Sequence, residues 1–197
     1  MKHLFAAAFM LCAPVAEAQD LPMRTMVSGV AATDVLNIRS GPGAGFDKVG
    51  EIAPFATNVE VLEVRDGWGL VSTGEGNGWV SMRYLAELPS EEWSVPRPLT
   101  CLGTEPFWRL SLFPRGAEFD SPDTGRRDLS EAAEAVAPSG YLVRLVEGPT
   151  LERTLIVRAG QCSDGMSDRR FGMRGLVFVE TPDGNRLLSG CCTFDHR

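Results

Sequence analysis

Apolar and polar residues alternate along much of this chain with the two-residue period of β-strands. Residues 59–64 mix β-branched side chains with charges, 65–67 supply a turn, and 68–71 resume the alternation. Such an arrangement predicts a β-hairpin. A glycine-rich turn at 74–78 leads into a further strand-like segment at 79–81. Because no stretch here repeats apolar residues every 3.6 positions, we predict a small all-β module. Its expected core contributors are Val59, Val61, Leu70, Trp79 and Val80.

The second half of the chain shows the same alternation. It recurs in the segments 107–113, 141–147, 153–159, 175–180 and 186–192. The turn residues Pro182-Asp183-Gly184-Asn185 predict that the last two segments form a hairpin. The exception is 129–137, which is rich in alanine and glutamate and is the one helix candidate, with Asp128 or Ser130 as its cap. We therefore predict an antiparallel sheet or barrel of about six strands.

Composition changes where the two halves meet. Residues 86–98 contain three prolines and three glutamates, and proline-rich segments form stiff spacers because each ring fixes a backbone angle. We accordingly place one module at 27–88, a proline-rich linker at 89–98 and a second β domain at 99–197.

The first 18 residues have the layout of a cleaved export signal. Lys2 precedes an apolar run at 4–15, and Ala16-Glu17-Ala18 offers the small residues of a cleavage site, with the cut expected after Ala18. A membrane-spanning helix needs about 20 apolar residues, which exceeds this run. Lipid attachment at Cys12 is disfavoured because a leucine precedes it. We expect a periplasmic or secreted protein without stable membrane insertion.

Export changes the expected chemistry of the cysteines. Cys101, Cys162, Cys191 and Cys192 remain after cleavage, and an oxidising compartment favours disulfides. Neighbouring residues on a strand point to opposite faces, so we expect Cys191 and Cys192 to bond different partners, one with Cys101 and the other with Cys162. Structural zinc ligands usually come in short-spaced pairs, a spacing that these cysteines lack. We predict no metal and no cofactor.

Several ordered motifs in the first module resemble those of the bacterial SH3-like domain family. They are Leu36-Asn37-Ile38-Arg39-Ser40-Gly41-Pro42-Gly43, Gly50, the strand 59–64, Gly67-Trp68 and Gly78-Trp79-Val80. The resemblance covers residues 27–88 and implies a small barrel that recognises a cell-wall glycan or peptide, or an envelope protein.

Aromatic side chains beside a cation suit the recognition of peptides and glycans. Arg39, Trp68, Trp79 and Tyr84 are therefore our candidates for a ligand groove on this module. For Trp79, and to a lesser extent Trp68, burial in the core is the competing interpretation.

The second domain resembles an uncharacterised family of exported bacterial proteins over residues 100–193. The motifs that carry this resemblance are 101–108, 162–168 and 190–192. The resemblance gives a domain boundary and no activity. Near the cysteines, Glu105, Asp164, Met166 and Asp168 form a possible polar site, in which carboxylates act as acid and base or bind a cation. The structural alternative is that Asp164 belongs to a turn and Met166 fills a gap.

An enzyme is the less favoured reading of the whole chain. A Cys-His peptidase needs a histidine held within hydrogen-bond reach of its nucleophile, and the chain has only His3 and the penultimate His196. With 26 acidic and 19 basic residues the net charge is −7, which disfavours nucleic acid as a partner. We predict a non-enzymatic binding protein. The alternatives are an enzyme or cation site around Glu105, Asp164 and Asp168, and a structural protein that docks a partner.

Overall fold

A computed structural model of the 197-residue chain describes residues 22–89, 94–148 and 151–195. The predicted export signal, the middle of the predicted linker and His196 lie outside these residues. The described chain is all-β, as predicted, and its strands form two domains. Within the described residues, no helix has both the length and the apolar character needed to cross a membrane.

The first domain is a seven-stranded antiparallel sheet with the order β3-β2-β6-β5-β4-β1-β7. Its strands are β1 (Met23–Val27), β2 (Leu36–Arg39), β3 (Lys48–Ile52), β4 (Val59–Arg65), β5 (Trp68–Ser72), β6 (Asn77–Ser81) and β7 (Leu85–Glu87), with a 3₁₀ turn at Met82–Tyr84 before β7. One face buries the main apolar cluster, which includes Val59, Val61 and Val80. Leu70 and Trp79 are also buried, in a smaller cluster with Leu62, so all five predicted core residues are buried.

The second domain is a closed antiparallel barrel with the order β10-β11-β12-β13-β14-β15-β8-β9. Its strands are β8 (Leu99–Thr104), β9 (Phe107–Leu112), β10 (Ala117–Asp120), β11 (Arg127–Ala137), β12 (Gly140–Glu147), β13 (Leu151–Ser163), β14 (Arg170–Thr181) and β15 (Gly184–Thr193). The sequence predicted about six strands. None of its predicted strand segments covers β8 or β10, and it placed a helix where β11 lies.

The predicted helix at 129–137 is wrong: these residues belong to strand β11. Their helix propensity is outweighed because β11 pairs with both β10 and β12 to close the barrel. A bulge between Glu131 and Ala133 interrupts the alternation of side chains. Glu131 and Glu134 therefore both reach Arg97, at 2.5 Å and 2.9 Å, and fasten the end of the predicted linker to the barrel.

Both disulfides that the sequence favours are present, and the structure assigns their pairing. Cys101 bonds Cys192, and Cys162 bonds Cys191. The first bond joins neighbouring strands β8 and β15 inside the barrel and closes a loop of 91 residues. Chain-entropy estimates credit a loop of that size with roughly 4 to 5 kcal/mol.

The two domains contact each other through β4, β5 and β6 on one side and the start of β14 on the other. The Asn77 side chain donates to the Asp168 carbonyl oxygen at 2.7 Å and accepts from the Arg170 backbone N–H at 3.0 Å. Ser72 donates to the Arg170 carbonyl oxygen at 2.7 Å. Beside these bonds, the Thr193 hydroxyl donates to the fully buried Glu60 carboxyl at 2.7 Å.

Candidate binding sites

Three of the four predicted groove residues, Arg39, Trp68 and Tyr84, line one cleft of about 770 Å³ on the first domain. We call it the SH3 cleft. Its walls come from the connection between β1 and β2, from β2, from the β4–β5 turn and from the 3₁₀ turn after β6. A cleft of this size suits a small ligand or a few units of a polymer.

The β4–β5 turn brings Trp68 to the cleft. Arg65 pairs with Trp68 across a two-residue loop, and Asp66 and Gly67 both have positive φ, at 48° and 77°. This is the conformation of a type I′ hairpin turn, for which Asp-Gly is a preferred sequence because it tolerates positive φ. The indole of Trp68 is half-buried against the Leu62 cluster while still lining the cleft.

Tyr84 and Arg83 form a second aromatic element of the cleft. The guanidinium carbon of Arg83 lies 4.4 Å from the centre of the Tyr84 ring, and Arg83 also donates to the Tyr84 hydroxyl. The Tyr84 carbonyl accepts from the Ser28 backbone N–H at 2.8 Å. A cation is thereby held over an aromatic face at the edge of the cleft.

Arg39 is oriented by the glycine-rich loop that follows β2. Its Nη1 donates to the Phe46 carbonyl oxygen at 2.7 Å. The Phe46 ring lies over Gly41, where a Cβ would stand only 2.5 Å from the ring. A side chain at position 41 would therefore force the Phe46 ring to move.

The SH3 cleft has charges of both signs. Arg39 and Arg83 line it together with the exposed carboxylates of Asp34 and Asp66. Arg83, Asp34 and Asp66 were not among the predicted site residues. The proximity of Arg83 to Tyr84 was an available signal, whereas Asp66 had been interpreted only as a turn residue.

Trp79, the fourth predicted groove residue, lies outside the cleft. It is 8% exposed and packs with Leu62 and Leu70, and the Arg65 guanidinium covers its ring at 5.0 Å. Trp79 stands on β6 directly opposite Arg39, so it supports the strand that presents Arg39.

The possible polar site on the second domain is brought together only in part. Glu105, Asp164 and Met166 line a cleft of about 640 Å³ beside the Cys162–Cys191 disulfide, which we call the barrel cleft. Asp168 does not line it, and its carbonyl oxygen instead accepts the interdomain bond from Asn77.

The Asp164 carboxylate is occupied by its own loop. It accepts hydrogen bonds from the backbone N–H groups of Met166 and Ser167, each at 3.0 Å, and from the Ser167 hydroxyl. Partial burial opposes ionisation of Asp164, but these bonds together outweigh it and lower the pKa of this carboxyl. A carboxylate stabilised in its charged form by loop hydrogen bonds suits a structural role better than proton transfer.

No group of three or more His, Cys, Asp or Glu side chains within 22–89, 94–148 and 151–195 is arranged to hold a metal ion.

Comparison with known families bears on the first domain. Residues 34–86 match the bacterial SH3 domain family. Domains of this family are typically cell-wall binding modules, and the matched segment includes most of the residues that line the SH3 cleft. No curated protein and no solved structure matches the chain. Disulfides and a bacterial SH3 domain are both features of extracytoplasmic proteins.

Proposed function

We propose that this protein is a non-enzymatic binding protein that recognises cell-wall material through its SH3 cleft. The observation that carries the proposal is the convergence of Trp68, Tyr84, Arg39 and Arg83 on one cleft of a bacterial SH3 domain. We further propose that the chain acts in the periplasm or outside the cell after removal of residues 1–18, which fits the disulfides of the barrel.

The chemistry of the cleft fits peptidoglycan. Sugar rings have apolar faces that pack on aromatic side chains, and Trp68 and Tyr84 supply such surfaces. The peptide stems of peptidoglycan carry carboxylates and amines, for which the two arginines and the two aspartates of the cleft are complementary. One aromatic-lined cleft with both signs of charge therefore suits a ligand that combines glycan and peptide.

Co-sedimentation of the purified protein with isolated cell-wall sacculi tests this proposal. We expect the wild-type protein to sediment with sacculi and Arg83→Gln to bind about tenfold more weakly, because it loses a cation at the cleft. Arg115→Gln is the matched control, since Arg115 is an exposed arginine that does not line the SH3 cleft. Equal sedimentation of all three proteins, or no sedimentation of the wild type, would contradict the proposal.

A further inference from the structure

The barrel cleft unites the three motifs that the SH3 domain does not explain. One part of its lining is Glu105 in the β8–β9 turn with Phe107 at the start of β9, a second is the loop at 163–166, and a third is 189–191 on β15. These segments are up to about 90 residues apart in the sequence, yet they surround one opening of about 640 Å³, within the range of small-ligand sites.

The loop at 163–166 is fixed in place. The Cys162–Cys191 disulfide ties it covalently to β15. The Thr104 hydroxyl donates to the Asp164 carbonyl oxygen at 3.1 Å and ties it to β8. Because the carboxylate of Asp164 also closes the loop on itself, the cleft is formed before any ligand arrives, which lowers the entropic cost of binding.

Two opposite charges in this cleft have no partner among the residues that the structure describes. Glu105 and Arg174 both line it and are exposed, and neither makes an ion pair or hydrogen bond within the described ranges. Arg174 also stands directly opposite Arg158 across β13 and β14. Arg158 does not line the cleft, but two like charges in such a cross-strand pair repel each other, so an anionic group bound by Arg174 would relieve the repulsion.

Apolar side chains border the same opening. Phe107 is 52% exposed and Met166 is 68% exposed, and both line the cleft. Aromatic and thioether groups of this kind adapt well to varied apolar side chains. The site thus combines a place for an anion, a place for a cation and an apolar surface.

We propose that the barrel cleft binds short peptides with free termini. The terminal carboxylate would bind Arg174 beside Arg158, the terminal ammonium would bind Glu105, and an apolar side chain would pack on Phe107 and Met166. This site lies on a different domain from the SH3 cleft and does not depend on the function proposed there.

The test uses the full-length protein and a pool of tetrapeptides randomised at the two central positions, with binding measured by ligand-observed NMR. All proteins carry Trp68→Ala so that the SH3 cleft contributes little. We expect binding of the pool with free termini, and about tenfold weaker binding of two further pools, one acetylated at the amino terminus and one amidated at the carboxyl terminus, since each loses a charged contact.

Variants assign each terminus to its contact. Arg174→Gln should weaken binding of the free pool until this variant binds the free and the amidated pools equally. Glu105→Gln should likewise bind the free and the acetylated pools equally. Arg115→Gln and Glu87→Gln are exposed controls outside the cleft and should bind the free pool as the background protein does.

Three results with the peptide pools would overturn the proposal: no binding of the free pool at millimolar concentration, equal binding of free and capped pools, or binding of the free pool that is unchanged in both cleft variants. Stronger binding of a galacturonate tetrasaccharide, which has no amine, would also overturn it and indicate an acidic glycan instead.

Discussion

Glu60 should make the stability of this protein depend on pH near neutrality. It lies on β4, fully buried between the two domains. Its Oε2 accepts from the Thr193 hydroxyl at 2.7 Å, while its Oε1 is buried and finds no hydrogen-bond partner in the described part of the chain. Burial is the largest cause that raises the pKa of Glu60, to about 7 from 4.5. The nearby Asp195 adds to this rise, whereas Thr193, the Phe194 backbone and Arg169 reduce it.

The magnitude follows from the two pKa values. The difference between 4.5 and about 7, at about 1.4 kcal/mol per pKa unit, corresponds to about 3 to 4 kcal/mol of the free energy of unfolding. Because the folded state holds the proton more tightly than the unfolded state, this stability is fully present below pH 4.5 and is lost as the pH rises through about 7. Between pH 5 and pH 8, the wild-type protein should lose most of this Glu60-dependent stability.

The substitution Glu60→Gln keeps an acceptor for Thr193 and removes the titration. We expect its free energy of unfolding to lack this Glu60-dependent fall between pH 5 and pH 8. Urea unfolding at several pH values, followed by tryptophan fluorescence, measures the difference. Glu63→Gln is the control on the same strand, because Glu63 is only half-buried and pairs with Arg65 at 2.5 Å. If the wild type and Glu60→Gln change in parallel with pH, the assignment of the effect to Glu60 is refuted.

Three further predictions concern the barrel and its junction with the SH3 domain. Replacing Cys101 and Cys192 together by serine should lower the free energy of unfolding by roughly 4 kcal/mol, measured in urea under oxidising conditions. Gly103→Ala should cost about 3 kcal/mol, because a Cβ there would stand 2.1 Å from Trp108 Nε1 and 2.5 Å from a backbone oxygen; an unchanged melting temperature would contradict this packing. Asn77→Ala should cost about 2 kcal/mol by removing two interdomain hydrogen bonds and should make the two domains unfold separately in calorimetry.

The sequence predicted well where local pattern determines structure. The hairpin at Asp66-Gly67 followed from turn chemistry that forms locally, and Cys191 and Cys192 were separated by the alternation of strand side chains. Arg39, Trp68 and Tyr84, three of the four residues proposed for a groove, do line one cleft. Their role in ligand binding stays a prediction.

The sequence failed where distant partners decide the outcome. Residues 129–137 have helix propensity, but pairing with β10 and β12 makes them a strand. Asp168 was grouped with Asp164 because the two are close in sequence, yet its carbonyl oxygen bonds Asn77, 91 residues away. The juxtaposition of Glu105 with Arg174 depends on the barrel register and the Cys162–Cys191 bond, neither of which a local pattern encodes.

The most direct test of the central proposal is an NMR titration of the full-length protein with soluble peptidoglycan fragments, following the indole N–H signals of its tryptophans. Trp68 lines the SH3 cleft, whereas Trp79 and Trp108 are buried away from it. We predict that the Trp68 signal and the backbone signals of Arg39 and Tyr84 shift in a saturable manner while those of Trp79 and Trp108 move little. Saturable shifts confined to the barrel, or no shifts at all, would contradict cell-wall recognition by the SH3 cleft.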